Sequence, residues 1–149
     1  MAFTLHSLAY NVEVQEKARQ SVNKILEKHN NEWSYEAIEE MNYIDQIIDE
    51  SLRLNPPVTT IHRIVTKDYK LDNGAVLERG NLVVIPNLAF QRDPEIFPNP
   101  MSFDPDRFSD EMKKTRHSFT SLPFGEGKLK ELQIFLQIKT FFFQVLVIA

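Results

Sequence analysis

The sequence predicts a mainly α chain with a small β region, and three observations predict it. Apolar residues recur at three- and four-residue spacings as far as Leu54. Two stretches rich in β-branched residues then flank Asp72-Asn73-Gly74, where Asn-Gly is a tight-turn signal. Beyond them, Pro94, Pro98, Pro100 and Pro105 punctuate a run carrying Phe97, Phe103 and Phe108. Those aromatics predict a packed meander, not a disordered linker.

Residues 2–10 read as the last turns of a helix whose earlier part would precede Met1. Asn11 is placed to cap the next helix, and Glu13 in its first turn complements the dipole. Val14, Ala18, Val22, Ile25 and Leu26 give that helix a buried stripe through about Asn30. Ser34 caps a short helix, Tyr35–Met41. The helix Met41–Leu54 follows, with Ile44, Ile47, Ile48 and Leu52 on one face. Asn55-Pro56-Pro57 stops it, because proline lacks an amide donor and pushes the preceding residue out of helical geometry. Val58–Val65 reads as a strand leaving the helix. Ile61–Leu71 and Ala75–Ile85 are the two arms of a hairpin, with Arg79-Gly80 interrupting the second. Asn87–Arg92 forms one helical turn. There is no internal repeat.

A chain of 149 residues predicts one domain with enough length for a real core. Its 42% hydrophobic and 26% charged residues are ordinary for a globular protein, and a net charge of −4 gives no reason to expect nucleic acid. With no cysteine, disulfides, thiolate nucleophiles and cysteine-ligated metals are excluded. Met1–Tyr10 lacks the basic start and long apolar core of a signal peptide. His6, His29, His62 and His117 show no metal-ligand spacing. Gly125-Glu126-Gly127-Lys128 lacks the Ser/Thr and the upstream glycine of a phosphate loop. Nothing groups Ser, His and Asp as a triad.

Composition breaks after Gly127, which divides the chain into 1–127 and a hydrophobic tail, 128–149, without Gly, Pro, Asp or Ser. The tail is long enough for a membrane span, yet Gln133, Gln137, Lys139 and Gln144 make it a poor one. Phe141–Ala149 fits an aggregation-prone β segment at least as well.

Glu50 and Arg53, three apart on a helix, would by themselves be a surface pair worth roughly 0.2–0.5 kcal/mol. Their context changes that reading. Pro56-Pro57, Arg63, Gln91-Arg92-Asp93-Pro94, Phe103-Asp104-Pro105-Asp106-Arg107-Phe108 and Leu122-Pro123-Phe124-Gly125-Glu126-Gly127 follow in order. Together they resemble the cytochrome P450 family, the haem-thiolate monooxygenases, in its microsomal, broad-substrate branch. The resemblance spans residues 1–127 and implies a partial P450 fold of helices, β-hairpin and proline-rich meander. It implies a buried structural network of Glu50, Arg53 and Arg107, with Arg63 on a haem propionate. Phe124 and Gly127 become haem contacts, and Val58, Thr59, Thr60 and Ile61 line the substrate pocket. It also implies haem, a lipophilic small-molecule substrate, molecular oxygen and NADPH-cytochrome reductase. The family works at the endoplasmic reticulum membrane through an N-terminal anchor that this sequence does not show. Gln91 stands where the family usually has His, and Asp106 where it has Glu.

The departure falls on the cofactor loop. The family pattern Phe-x-x-Gly-x-Arg-x-Cys-x-Gly, laid on Phe124 and Gly127, puts Leu129 at the arginine, Glu131 at the cysteine ligand and Gln133 at the last glycine. A carboxylate is a hard oxygen donor without the electron push of a thiolate. The family's acid–threonine pair, which guides protons to bound oxygen, would lie just before a segment like residues 2–8. The expectation is therefore no catalytic residue and no metal ligand in this chain, with haem implied by family but not stably held. The reading is a fragment of a haem-dependent monooxygenase, incompetent as an isolated chain. The alternative is a non-catalytic truncated or mis-spliced product, at most an interaction module. Gly127-Lys128 can be encoded by GGT-AAG, which contains a splice-donor sequence, so residues 128–149 are expected to be intron read-through. The rival is a real exon encoding a C-terminal anchor.

Overall fold

The computed structural model describes residues 2–121, so the expectations for Phe124, Gly127, Glu131 and the tail lie outside the described residues. Four helices come first: α1 (Ala2–Tyr10), α2 (Val12–Lys28), α3 (Tyr35–Glu39) and α4 (Asn42–Leu54). Short strands β1 (Ile61–Ile64), β2 (Tyr69–Lys70), β3 (Val76–Leu77) and β4 (Leu82–Ile85) follow. Then come α5 (Asn87–Gln91), the meander with a 3₁₀ turn at Pro105–Phe108, α6 (Asp110–Lys114) and a second 3₁₀ turn at Ser118–Thr120. This is the mainly α architecture with a small β region that the sequence predicts. No helix among the described residues is long and apolar enough to cross a membrane.

The core sits where α1, α2 and α4 meet. Leu8, Ala18, Val22, Leu26, Met41, Ile44, Ile47 and Ile48 form one buried cluster, with Leu5, Val14, Ile25, Leu52 and Phe103 packed partly against it. Spacings of three and four residues aim these side chains down one face of each helix, which is why so few residues close a core. After α2 the chain reverses through Asn30 and Asn31, both left-handed at φ 55° and 59°. Asparagine tolerates that region better than most residues, and the Asn31 amide donates back to the Leu26 carbonyl at 2.8 Å.

The Ser34 cap is present, its Oγ accepting from the Ala37 amide at 3.1 Å. The Asn11 cap is not. Asn11 occupies the N-cap position of α2, but its Nδ2 donates to the Ser7 carbonyl at 2.7 Å and so closes α1 instead. An amide side chain carries donors as well as an acceptor, and the α1 carbonyls lie nearer.

The hairpin is interrupted where the sequence predicts, at Arg79-Gly80. β1 pairs antiparallel with β4 (Ile61 with Ile85, Ile64 with Leu82), and β2 with β3 (Tyr69 with Leu77). Both ladders share one register, so this is a single hairpin broken in the middle. At the break, Asp68 Oδ1 accepts from the Arg79 amide at 2.8 Å, and Gly80, at φ 91°, donates to the Val65 carbonyl at 2.8 Å. The tip is the three-residue loop Asp72-Asn73-Gly74, bounded by Leu71 and Ala75 as the sequence predicts. Leu71 donates to the Ala75 carbonyl at 2.8 Å, and only Gly74 is left-handed, at φ 87°. Helix α6 was not foreseen; Ser109 caps it through the Met112 amide at 3.4 Å.

Candidate functional site

Glu50 and Arg53 lie in the last turns of α4, before Pro56-Pro57, on the face turned to the meander. Both are buried, at 0% and 1% exposure. Arg53 holds Glu50 with two donors, Nε to Oε2 at 2.6 Å and Nη2 to Oε1 at 2.9 Å. Its remaining donors go to main-chain oxygens far along the chain: Nη1 to Gln91 at 2.7 Å and Nη2 to Ser102 at 3.3 Å. The Asp104 amide donates to Glu50 Oε1 at 2.9 Å. A planar guanidinium with five fixed donors can join a carboxylate and two carbonyls at once, which an ammonium could not do in this geometry.

Arg107 joins the same cluster. Its Nε lies 3.7 Å from Glu50 Oε1 and 3.7 Å from Asp104 Oδ2, an ion pair without a hydrogen bond, while Nη2 donates to the Asn99 carbonyl at 3.2 Å. Burial pushes the Glu50 carboxyl above its usual range, opposed by the bonds from Arg53 and the Asp104 amide and by the charges of Arg53 and Arg107. The structure thus brings Glu50, Arg53 and Arg107 into one buried network.

Three further residues pack around it, and the sequence reading assigned none of them to it. Arg116 donates to the Arg107 carbonyl and lies over Phe97 at 4.8 Å and Phe108 at 5.2 Å. Burial and the neighbouring Arg107 charge lower its pKa. Phe97 also meets the Arg53 guanidinium at 5.1 Å, so one ring contacts two cations. Arg92 Nη2 donates to the Leu54 carbonyl at 3.0 Å, closing the end of α4. Only the buried Phe97 had a signal, as an aromatic inside a proline-rich run. The two arginines act from coil positions, where no periodicity marks them.

Arg63 lies elsewhere, on β1, where Nη1 donates to the His62 carbonyl at 2.9 Å. It helps line a cavity of about 510 Å³ with Ile61, Ile85, Phe90, Gln91 and His117. Of the expected pocket-lining run, only Ile61 lines this cavity. Val58 is 42% exposed. Thr59 is exposed as well, and Thr60 is not among the lining residues. Their main chain is what is held: Asn87 Nδ2 donates to the Val58 carbonyl and the Leu88 amide to the Thr59 carbonyl, each at 3.0 Å. No group of three or more His, Cys, Asp or Glu able to hold a metal occurs among the described residues.

Compared with known proteins, the chain matches the cytochrome P450 family over residues 1–129. It belongs to the cytochrome P450 family. Probable cytochrome P450 6a13 of Drosophila melanogaster is 42% identical over 128 residues, covering 85% of this chain and 26% of that protein. Cytochrome P450 9e2 of Blattella germanica is 43% identical over 129 residues, covering 85% of this chain and 24% of the relative. The chain thus spans about a quarter of the length of these P450 relatives. The family's members are haem-iron monooxygenases, and its cofactor is haem.

The residues present fit part of that cofactor. Ile61, Ile85 and Phe90 offer an apolar wall and Arg63 a cation on the same cavity, the pairing that a flat apolar ring with a carboxylate edge requires. They do not complete it, because a P450 iron is held by a cysteine thiolate and this sequence has none.

Proposed function

We propose that this chain is the part of a P450 monooxygenase that carries its buried support network and one wall of its haem cavity, and that alone it does not catalyse the family reaction. In the whole protein the substrate would be a small lipophilic molecule and the electrons would come from NADPH-cytochrome reductase at the endoplasmic reticulum membrane. Glu50, Arg53 and Arg107 then serve as structure, and Arg63 as the contact to a haem propionate. Ile61, and by family Val58, Thr59 and Thr60, would face substrate, while Phe124 and Gly127 would touch haem. Residues 128–149 would form a segment outside the family pattern, a reading supported by a family match that ends two residues into it, at residue 129.

One observation carries the proposal: a P450 match over most of the chain coexists with a sequence lacking cysteine. A carboxylate at Glu131 would meet iron as a hard donor, and the thiolate's electron donation would be missing. Haem titration of the purified chain tests this, followed by reduction under carbon monoxide. No thiolate-type Soret band and no NADPH-dependent turnover with reductase are expected. Stoichiometric haem with the thiolate-type band would overturn the proposal. The second reading, a truncated or mis-spliced product, rests on the break in composition after Gly127. Transcripts across that junction decide it; messages encoding only Lys128–Ala149, with none continuing as Arg-x-Cys-x-Gly, would refute read-through.

A further inference from the structure

Gln91 touches two parts of the molecule that have so far been separate. Its main-chain carbonyl accepts from Arg53 Nη1 at 2.7 Å, which places it against the buried network. Its side-chain Nε2 donates to the Thr120 carbonyl at 2.6 Å, twenty-nine residues along the chain. Thr120 ends the 3₁₀ turn after α6. That turn is tied by the Thr120 amide and Oγ1 to the His117 carbonyl at 3.0 and 2.7 Å, and by the Phe119 amide to His117 Nδ1 at 3.2 Å.

The chemistry of this contact is one-sided. A carbonyl only accepts, so the amide must turn its NH₂ group to Thr120. Gln91 is 2% exposed, and its Oε1 has no partner among the described residues. The donated bonds are therefore what fix the side chain, with a longer one to Asn87 Oδ1 at 3.4 Å along the same helix.

We infer that Gln91 is a positioning residue: a donor bridge that ties the chain leading into Leu122–Gly127 to the Arg53 core. The inference rests on the proposed function, because the P450 reading is what gives that loop its role, but the bridge can be tested without haem. What position 91 needs is a donor at the end of a side chain of this length. An imidazole Nε2–H reaches nearly as far, so Gln91→His keeps the bridge. Gln91→Met fills the space without a donor, and Gln91→Glu turns an acceptor toward an acceptor.

Amide hydrogen exchange read by mass spectrometry on the full chain and these three variants tests it, following residues 117–121 and, separately, 42–54. Exchange at 117–121 should rise about tenfold in Gln91→Met and further in Gln91→Glu, and stay within about twofold of the parent in Gln91→His. Residues 42–54 should be unchanged in all three. A space-filling role predicts the opposite order, with methionine silent and histidine disruptive. That order, equal exchange in all four chains, or a parallel loss of protection at 42–54 would overturn the inference. Haem binding does not enter the readout, so failure here and failure of the functional proposal are separate results.

Discussion

On the α4 side of Pro56-Pro57, Ile44, Ile47 and Ile48 are each 1% exposed, and even Glu50 and Arg53 are 0% and 1%. On the other side, Ile64, Leu82 and Val84 stand 68%, 62% and 50% exposed on the hairpin. The register explains the second pattern. Ile64 pairs with Leu82 and His62 with Val84, so these side chains share one face of a two-stranded ribbon, while Ile61 and Ile85 turn to the cavity. A two-stranded ribbon cannot cover both of its faces. The first region therefore satisfies its own side chains, apolar and charged alike, whereas the hairpin keeps its shape through main-chain bonds and turn residues. Stability should be concentrated in the first region, and substitutions can break or sharpen that contrast.

The largest effect is expected at Glu50. Glu50→Ala leaves a buried guanidinium without its carboxylate, which should cost about 3–5 kcal/mol in urea unfolding; a loss below about 1 kcal/mol would mean that the network contributes little. Arg107→Ala removes an ion pair at 3.7 Å and one hydrogen bond at the edge of the cluster, so a smaller loss of about 2 kcal/mol is expected by the same measurement.

A pH effect follows from Asp49, also on α4. Burial holds its carboxyl above the usual range, Lys113 at 2.8 Å opposing and Asp45 adding to the rise. The folded chain thus binds this proton more tightly than the unfolded chain. The contribution is present below the unfolded value near ~3.9 and is lost as pH rises through the higher folded value. Urea midpoints of the parent and Asp49→Asn, compared at neutral and mildly acidic pH, should shift in the parent's favour on acidification by less than about 1 kcal/mol. A shift the other way would show that Lys113 outweighs burial. Smallest of all, Leu82→Ser on the exposed ribbon face should change stability by no more than about 0.5 kcal/mol. A larger loss would show that this face is part of the core.

What was legible in the sequence was what repeats or terminates. The stripe on α4 and its proline stop, the Ser34 cap, the broken hairpin and the aromatic meander all leave local marks, because helix and strand periodicity and proline chemistry act over a few residues. Contacts made from coil were not legible. Nothing local says that Arg116 lies over Phe97, that the Asp104 amide donates to Glu50, or that Gln91 reaches Thr120. Asn11 misled for a related reason, since its side chain can serve either neighbouring helix. The network of Glu50, Arg53 and Arg107 was foreseen through family resemblance, not spacing, because Glu50 and Arg107 lie far apart in sequence.

The central claim is that these distant residues act as one unit. A double-mutant cycle between Glu50 and Arg107 tests it most directly, with Glu50→Ala, Arg107→Ala and the double variant unfolded in urea. A coupling energy of about 1–3 kcal/mol is predicted, because the two opposite charges face each other at 3.7 Å in a site largely closed to water. Additivity within about 0.5 kcal/mol would contradict the account, since it would mean that the two side chains are neighbours without being coupled.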